Sequence, residues 1–183
     1  MKKLLIIASC LTLMSGTTYK PIEKPNAALR MYRAIMLYSG MYQVPKHVAF
    51  NIAHLETTYR GPQDTIYNPS RVSNKGAMGP MQIMYKYASY FAGFPVNKTQ
   101  LRDSIELNVF ISMKILNQHF KKYKDWARVL GAYNTGRPII NKYAKIGTTT
   151  NYKHFWISPK KTEEVIEDTT GHISPMIISL FKS

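Results

Sequence analysis

Residues 45–59 read PKHVAFNIAHLETTY, and their apolar positions recur at helical spacing. Ala49, Ile52, Ala53 and Glu56 stand at i, i+3, i+4 and i+7, which places them in one stripe. The one acidic residue of the segment therefore points along the apolar face and not into water. Two readings follow for Glu56. As a helix-end residue on the rim of the stripe, it would pair with Arg60 and serve structure alone. As a partly buried carboxyl, it would have its charged form disfavoured and its pKa raised, which is the tuning a general acid needs near neutral pH. Pro45 fits the first turn, where a missing amide hydrogen costs nothing.

Outward from this segment the punctuation stays helical. Apolar residues at three- or four-residue spacing predict helices over 27–38, 85–91, 103–123 and 126–134, with Asp103 and Asp125 placed to cap the last two. No stretch of comparable length alternates as a strand does. The expected fold class is all-α, or mainly α, in a single domain over residues 27–156; a chain of 183 residues suits one core. Ahead of that domain, Lys2 and Lys3, an apolar run over 4–14, and Ser15, Gly16 and Thr17 read as a secretory signal over 1–17. That predicts export to the periplasm or cell envelope. The run is shorter than the roughly 20 residues a spanning helix needs, although it could hold the chain at a membrane. Ile7, Ala8, Ser9 and Cys10 also resemble a lipobox, a second reading for the same segment. Residues 18–26, with Pro21 and Pro25, read as a linker, and residues 157–183 as a C-terminal tail.

Twenty-five Lys and Arg against 10 Asp and Glu leave a net charge of +15, which calls for a polyanionic partner. Nucleic acid, an acidic membrane surface and the bacterial wall all qualify, and an export signal argues against the first. Glu163, Glu164, Glu167 and Asp168 lie in the tail, so the basic character belongs to the helical body. With hydrophobic residues at 45%, neither disorder nor a polytopic membrane protein fits. The chain has no glycine-rich phosphate loop, no Gly-x-Ser-x-Gly elbow and no His-Glu-x-x-His pair. His47, His54, His119, His154 and His172 are scattered, so no metal and no cofactor is expected. Cys10 is the only cysteine, and cleavage of the signal would exclude disulfides, thiolate-bound zinc and thiol nucleophiles.

Residues 68–84 read NPSRVSNKGAMGPMQIM, turn formers around Gly76 and Gly79 that run into Met81, Gln82, Ile83 and Met84. Residues 131–136, GAYNTG, end a helix in a second polar turn that carries an aromatic suited to a sugar ring and an amide able to donate and accept. Taken with the helix of Glu56, these blocks resemble the soluble lytic transglycosylase domain, a lysozyme-like fold that cleaves peptidoglycan glycan strands. The resemblance runs from about Met36 to Tyr152. It takes in Val44-Pro45, the helix ending in Glu56, Asn68-Pro69, residues 72–77, the Gly-x-Met-Gln-Ile-Met block at 79–84, Asn108, and the Ala-Tyr-Asn-x-Gly turn at 132–136.

The resemblance implies a reaction with one carboxylate. The family's glutamate, here Glu56, protonates the glycosidic oxygen between N-acetylmuramic acid and N-acetylglucosamine. It then acts as base on the muramoyl C6 hydroxyl, closing a 1,6-anhydro ring. By the same resemblance Gln82 would hold the sugar, Ser73 and Met81 would line the cleft, and Tyr133 with Asn134 would support the glutamate and the saccharide. Asn151-Tyr152 resembles a late pair whose tyrosine leans toward the glutamate. The sequence also departs from the family: Thr57, which by the resemblance belongs with the substrate-binding residues, stands where serine is usual after the glutamate and keeps its hydroxyl, and Pro80 and Tyr85 change the Met-Gln block. These departures bear on loop geometry and substrate preference. A water-using muramidase on the same fold, and a wall-binding protein without the chemistry, are the rival readings. Asp64 is the one credible second carboxylate that the former would need.

Overall fold

In the computed structural model, which describes residues 25–150, five helices start on a side chain that accepts a hydrogen bond from their own first turn. Asn26 starts α1 (Ala27–Met41), Asn97 starts α4 (Lys98–Asp103), Ser104 starts α5 (Ile105–Tyr123), Asp125 starts α6 (Trp126–Thr135) and Asn141 starts α7 (Lys142–Gly147). Pro45 stands at the N-cap of α2 (Lys46–Thr57), and α3 (Tyr85–Ala92) follows directly on a hairpin of β1 (Ala77–Met78) and β2 (Ile83–Met84). The mainly-α expectation agrees with this architecture.

Asp103 does not cap α5. Ser104 adopts the extended backbone that separates α4 from α5 and accepts from Leu107 N, while Asp103 closes α4 and pairs with Arg102 at 2.7 Å. The helices α4 and α7 and the hairpin had no counterpart among the expected elements. The signal, the linker up to residue 24, Tyr152 and the tail lie outside the described residues. No helix among the described residues is long and apolar enough to cross a membrane.

The core is built round α5, about 28 Å long at 1.5 Å per residue. Ile105, Val109, Ile111, Met113, Ile115 and Leu116 are buried, and α1, α3, α4 and α6 all pack on this helix. Against that frame, α2 packs on α1 and α7, and α7 packs on α6. The stripe read from the sequence is the buried face of α2: Ala49, Ile52 and Ala53 are fully buried. Thr58 turns into the left-handed region to end α2, and the buried Tyr59 donates its hydroxyl to the Ala28 carbonyl at 3.0 Å. The end of the helix that carries Glu56 is thereby tied to α1.

The hairpin pairs Ala77 with Met84 and Met78 with Ile83. Its turn sits on α5 through Asn108, fully buried, whose Oδ1 accepts from Met81 N at 2.9 Å and whose Nδ2 donates to the Met78 and Leu101 carbonyls, each at 2.9 Å. Gly79 makes this approach possible. Its φ is +76°, and a Cβ there would collide with the Asn108 amide and stand 2.7 Å from the Leu101 oxygen.

Candidate active site

Glu56 lies in the last turn of α2, half-buried, with α7 and the loop ahead of the hairpin supplying its hydrogen-bond partners. Its Oε1 accepts from the Tyr143 hydroxyl at 2.6 Å. Arg71 reaches the same residue from the loop ahead of the hairpin, donating to the Glu56 main-chain oxygen at 3.4 Å. Burial pushes the Glu56 carboxyl above the ordinary carboxylate range; the Tyr143 bond and the Arg71 charge pull it back without cancelling that shift. The Arg60 partnership weighed for Glu56 is not what its carboxylate finds here.

Tyr143 was not among the residues singled out from the sequence. It belongs to a helix of six residues, too short to declare itself by periodicity, and stands 87 positions from its partner. The tyrosine expected to lean on the glutamate, Tyr152, is outside the described residues. The docking of α7 depends on Asn51, fully buried on α2, whose Nδ2 contacts the carbonyls of Ile146 (3.4 Å), Gly147 (2.9 Å) and Thr149 (2.9 Å). One amide thus gathers the end of α7 onto the helix that carries Glu56.

Tyr133 also stands close enough to feel the glutamate. Burial, and then the Glu56 charge, raise its pKa above the normal phenol value. Its hydroxyl donates to the Met81 carbonyl at 2.6 Å and lies 3.0 Å from Ser112 Oγ on α5. It therefore buttresses the hairpin turn from the α6 side while Asn108 holds it from α5. Asn134, the next residue, is exposed near the end of α6, where its Oδ1 accepts from Asn141 Nδ2 at 3.2 Å. Gly136, with φ +76°, ends α6 as the polar turn predicts.

The remaining residues divide by exposure. Thr57 is buried and spends its hydroxyl inward: it contacts the Ala53 carbonyl at 3.1 Å, the Pro80 carbonyl at 2.9 Å and the Tyr67 hydroxyl at 3.0 Å. The proline that removes a backbone donor thus supplies an acceptor that ties the turn to α2. Met81 is fully buried as well, so neither side chain presents surface to a ligand in this structure. Ser73 is half-buried and accepts from Ala77 N at 3.0 Å. Gln82 takes a left-handed φ of 52°, unusual for a residue with a side chain, and its Nε2 donates to Arg71 O at 3.0 Å and Gly79 O at 2.8 Å. The amide so pins its own left-handed backbone to the loop that carries Arg71.

The other described carboxylates have separate employment. Glu106 pairs with Arg30 at 2.7 Å, Asp103 with Arg102, Asp125 caps α6, and Asp64 accepts from Ile66 N at 3.2 Å in a local turn. No group of three metal-ligating side chains occurs among the described residues. The arrangement is one carboxyl of raised pKa, held by a phenol, beside a turn braced from two helices.

Compared with known protein families, residues 34–156 match the Transglycosylase SLT domain. The chain belongs to that family. Neither the curated proteins nor the solved structures yielded a match. The SLT domain match extends over α2, the hairpin, α5, α6 and α7, so every described group round Glu56 lies within it. Membership brings a mainly-α, lysozyme-like fold and, at the level of the family, transglycosylase action on peptidoglycan.

Proposed function

We propose that this SLT domain is an exported peptidoglycan lytic transglycosylase in which Glu56 acts first as acid and then as base. In the first step the protonated carboxyl gives its proton to the glycosidic oxygen as the bond from the muramoyl C1 breaks. In the second, the Glu56 carboxylate accepts the proton of the C6 hydroxyl as that oxygen bonds to C1. The products are a new sugar hydroxyl and a 1,6-anhydro ring, and Glu56 ends protonated, ready for the next cycle. No water enters.

The observation that carries this reading is the balance of forces on Glu56. Burial favours the protonated carboxyl that the first step needs, and the 2.6 Å bond from Tyr143 stabilises the anion that forms midway. A single carboxyl must serve both steps, so neither form should be favoured too strongly. The groups bonded to Glu56 are Tyr143 and Arg71, whereas Asp64 accepts from Ile66 N in a turn of its own. That supports a one-carboxylate reaction over the two-carboxylate arrangement of most glycosidases.

Digestion of purified sacculi followed by mass spectrometry tests the proposal. Anhydromuropeptides are the expected products, and Glu56→Gln should release none. Products bearing only reducing ends would replace transglycosylation by hydrolysis. Binding to sacculi without release of fragments would leave a wall-binding protein.

A further inference from the structure

On the side of α5 away from Asn108 and Ser112 lies a groove of about 590 Å³ between α3, α5 and the residue that follows α1. Phe110, Lys114, Asn117 and Lys121 recur along that side at helical spacing, about half a turn round the helix from the two residues that brace the candidate site. The walls are aromatic. Tyr90 is 73% exposed and meets Phe91 edge-on at 5.1 Å; Tyr42 packs edge-on against Phe110 at 5.9 Å. An exposed tyrosine offers an apolar ring face with a polar tip.

The polar groups are cationic and amide. Lys114 places its ammonium 3.0 Å from the Ala92 carbonyl and 5.2 Å from the Phe110 ring centroid. Partial burial weakens its hold on a proton, so desolvation is not fully repaid by these neighbours. Among the described residues no carboxylate lines the groove, and the exposed Lys121 adds a second positive charge. Asn117 donates from Nδ2 to the Tyr42 carbonyl at 2.7 Å, which fixes an amide at the groove wall. The helix α3 connects this place with the hairpin: Tyr85 follows β2 directly, and Phe91 comes six residues later, a rise of about 9 Å.

Aromatic platform, fixed amide and two ammonium groups without a carboxylate suit an acylated sugar that also bears a carboxylate. The volume lies within the ~300–1,000 Å³ of small-molecule sites. We propose that the α3–α5 groove is a second binding site for a carboxylate-bearing glycan-peptide segment of peptidoglycan, separate from the bond cleaved at Glu56. This inference rests on the proposed wall substrate. The ring of an acetamido sugar lies on Tyr90, Asn117 meets an amide, and Lys114 with Lys121 take a carboxylate of the stem peptide. A domain that holds its polymer at two places stays on the wall between cleavage events.

The experiment uses the full chain carrying Glu56→Gln, so that binding is read without turnover, and a purified disaccharide-tripeptide as probe, with a peptide-free N-acetylglucosamine trimer beside it. Binding is followed by NMR shifts of Tyr90, Phe91 and Asn117 and by calorimetry. The expected result is that the disaccharide-tripeptide shifts these resonances and that Tyr90→Ala and Lys121→Glu each weaken this binding about tenfold. Lys145→Glu on α7, the same charge change outside the groove, should not weaken it, and the trimer should bind less tightly than the peptide-bearing probe. Unmoved groove resonances, an equal loss in Lys145→Glu, or tighter binding of anionic phospholipid vesicles at the same resonances would each overturn the proposal. The sacculus digest is independent: failure to form anhydro products removes the proposed reaction and leaves groove binding intact, whereas anhydro products with a silent groove remove only the second site.

Discussion

Replacing Tyr143 by Phe removes one oxygen and leaves the ring packed between α6, α7 and the core. The bond lost is the 2.6 Å donation to Glu56 Oε1, a hydrogen bond to a charged group of the kind that contributes about 1.5–3 kcal/mol. A donor of that strength favours the charged carboxyl over the neutral one. The sign follows from which form the phenol favours. Tyr143 donates to the carboxylate and so lowers the Glu56 pKa against the rise caused by burial; without it, burial acts with less opposition and the proton is held to higher pH. The alkaline limb of the rate profile, where the general acid is lost, should therefore move up. The maximal rate should fall about tenfold or more, because the carboxylate formed midway loses its donor. Release of anhydromuropeptides from sacculi between acid and alkaline pH reads the limb, and a carbon-13 titration of the Glu56 carboxyl reads the pKa directly. An alkaline limb that stays in place, or moves down, would refute the opposition of burial and phenol on which the proposed mechanism stands.

Glu56→Gln should lower activity at least about a hundredfold and raise the melting temperature at neutral pH. The folded pKa is raised, so the charged carboxylate costs stability above that pKa, and the cost is absent below the ordinary carboxylate range; thermal melts of the two proteins should converge on acidification through that window. Asn108→Leu leaves Met81 N and the Met78 and Leu101 carbonyls without their partner, a loss of about 3 kcal/mol that urea denaturation would read. Gly79→Ala should cost at least about 2 kcal/mol, since φ is +76° and Asn108 and the Leu101 carbonyl stand where the methyl would go. Asn51→Leu should speed hydrogen exchange over residues 142–149 more than elsewhere, because it cuts the contacts from α2 to the end of α7; uniform acceleration across the chain would count against the latch.

Long amphipathic stretches were legible before any coordinate. The stripe of Ala49, Ile52 and Ala53 is the buried face of α2, and the long helix ending at Tyr123 was placed with its start misjudged by two residues, because Asp103 and Ser104 can both cap. The short elements were not legible. Strands of two residues cannot show alternation, and α4 and α7, six residues each, make too few turns for a periodic pattern. The spacing of Thr57, Met81 and Gln82 does not say which way each side chain turns, because that is decided by neighbours distant in the chain. Pro80 and Tyr67 take the Thr57 hydroxyl, and Arg71 and Gly79 take the Gln82 amide.

By itself the chain determined its class, its family and the candidate acid. Helical spacing, turn residues and the place of one glutamate on an apolar stripe are local properties, set by side chains three or four positions apart. Only the tertiary structure decided what that glutamate meets. Burial needs α7 packed on α2 and α6 packed on α7, and the Tyr143 bond closes a separation of 87 residues that no local pattern encodes. The raised pKa of Glu56 reflects burial opposed by the Tyr143 hydrogen bond and the Arg71 cation, which come together only once the core has formed.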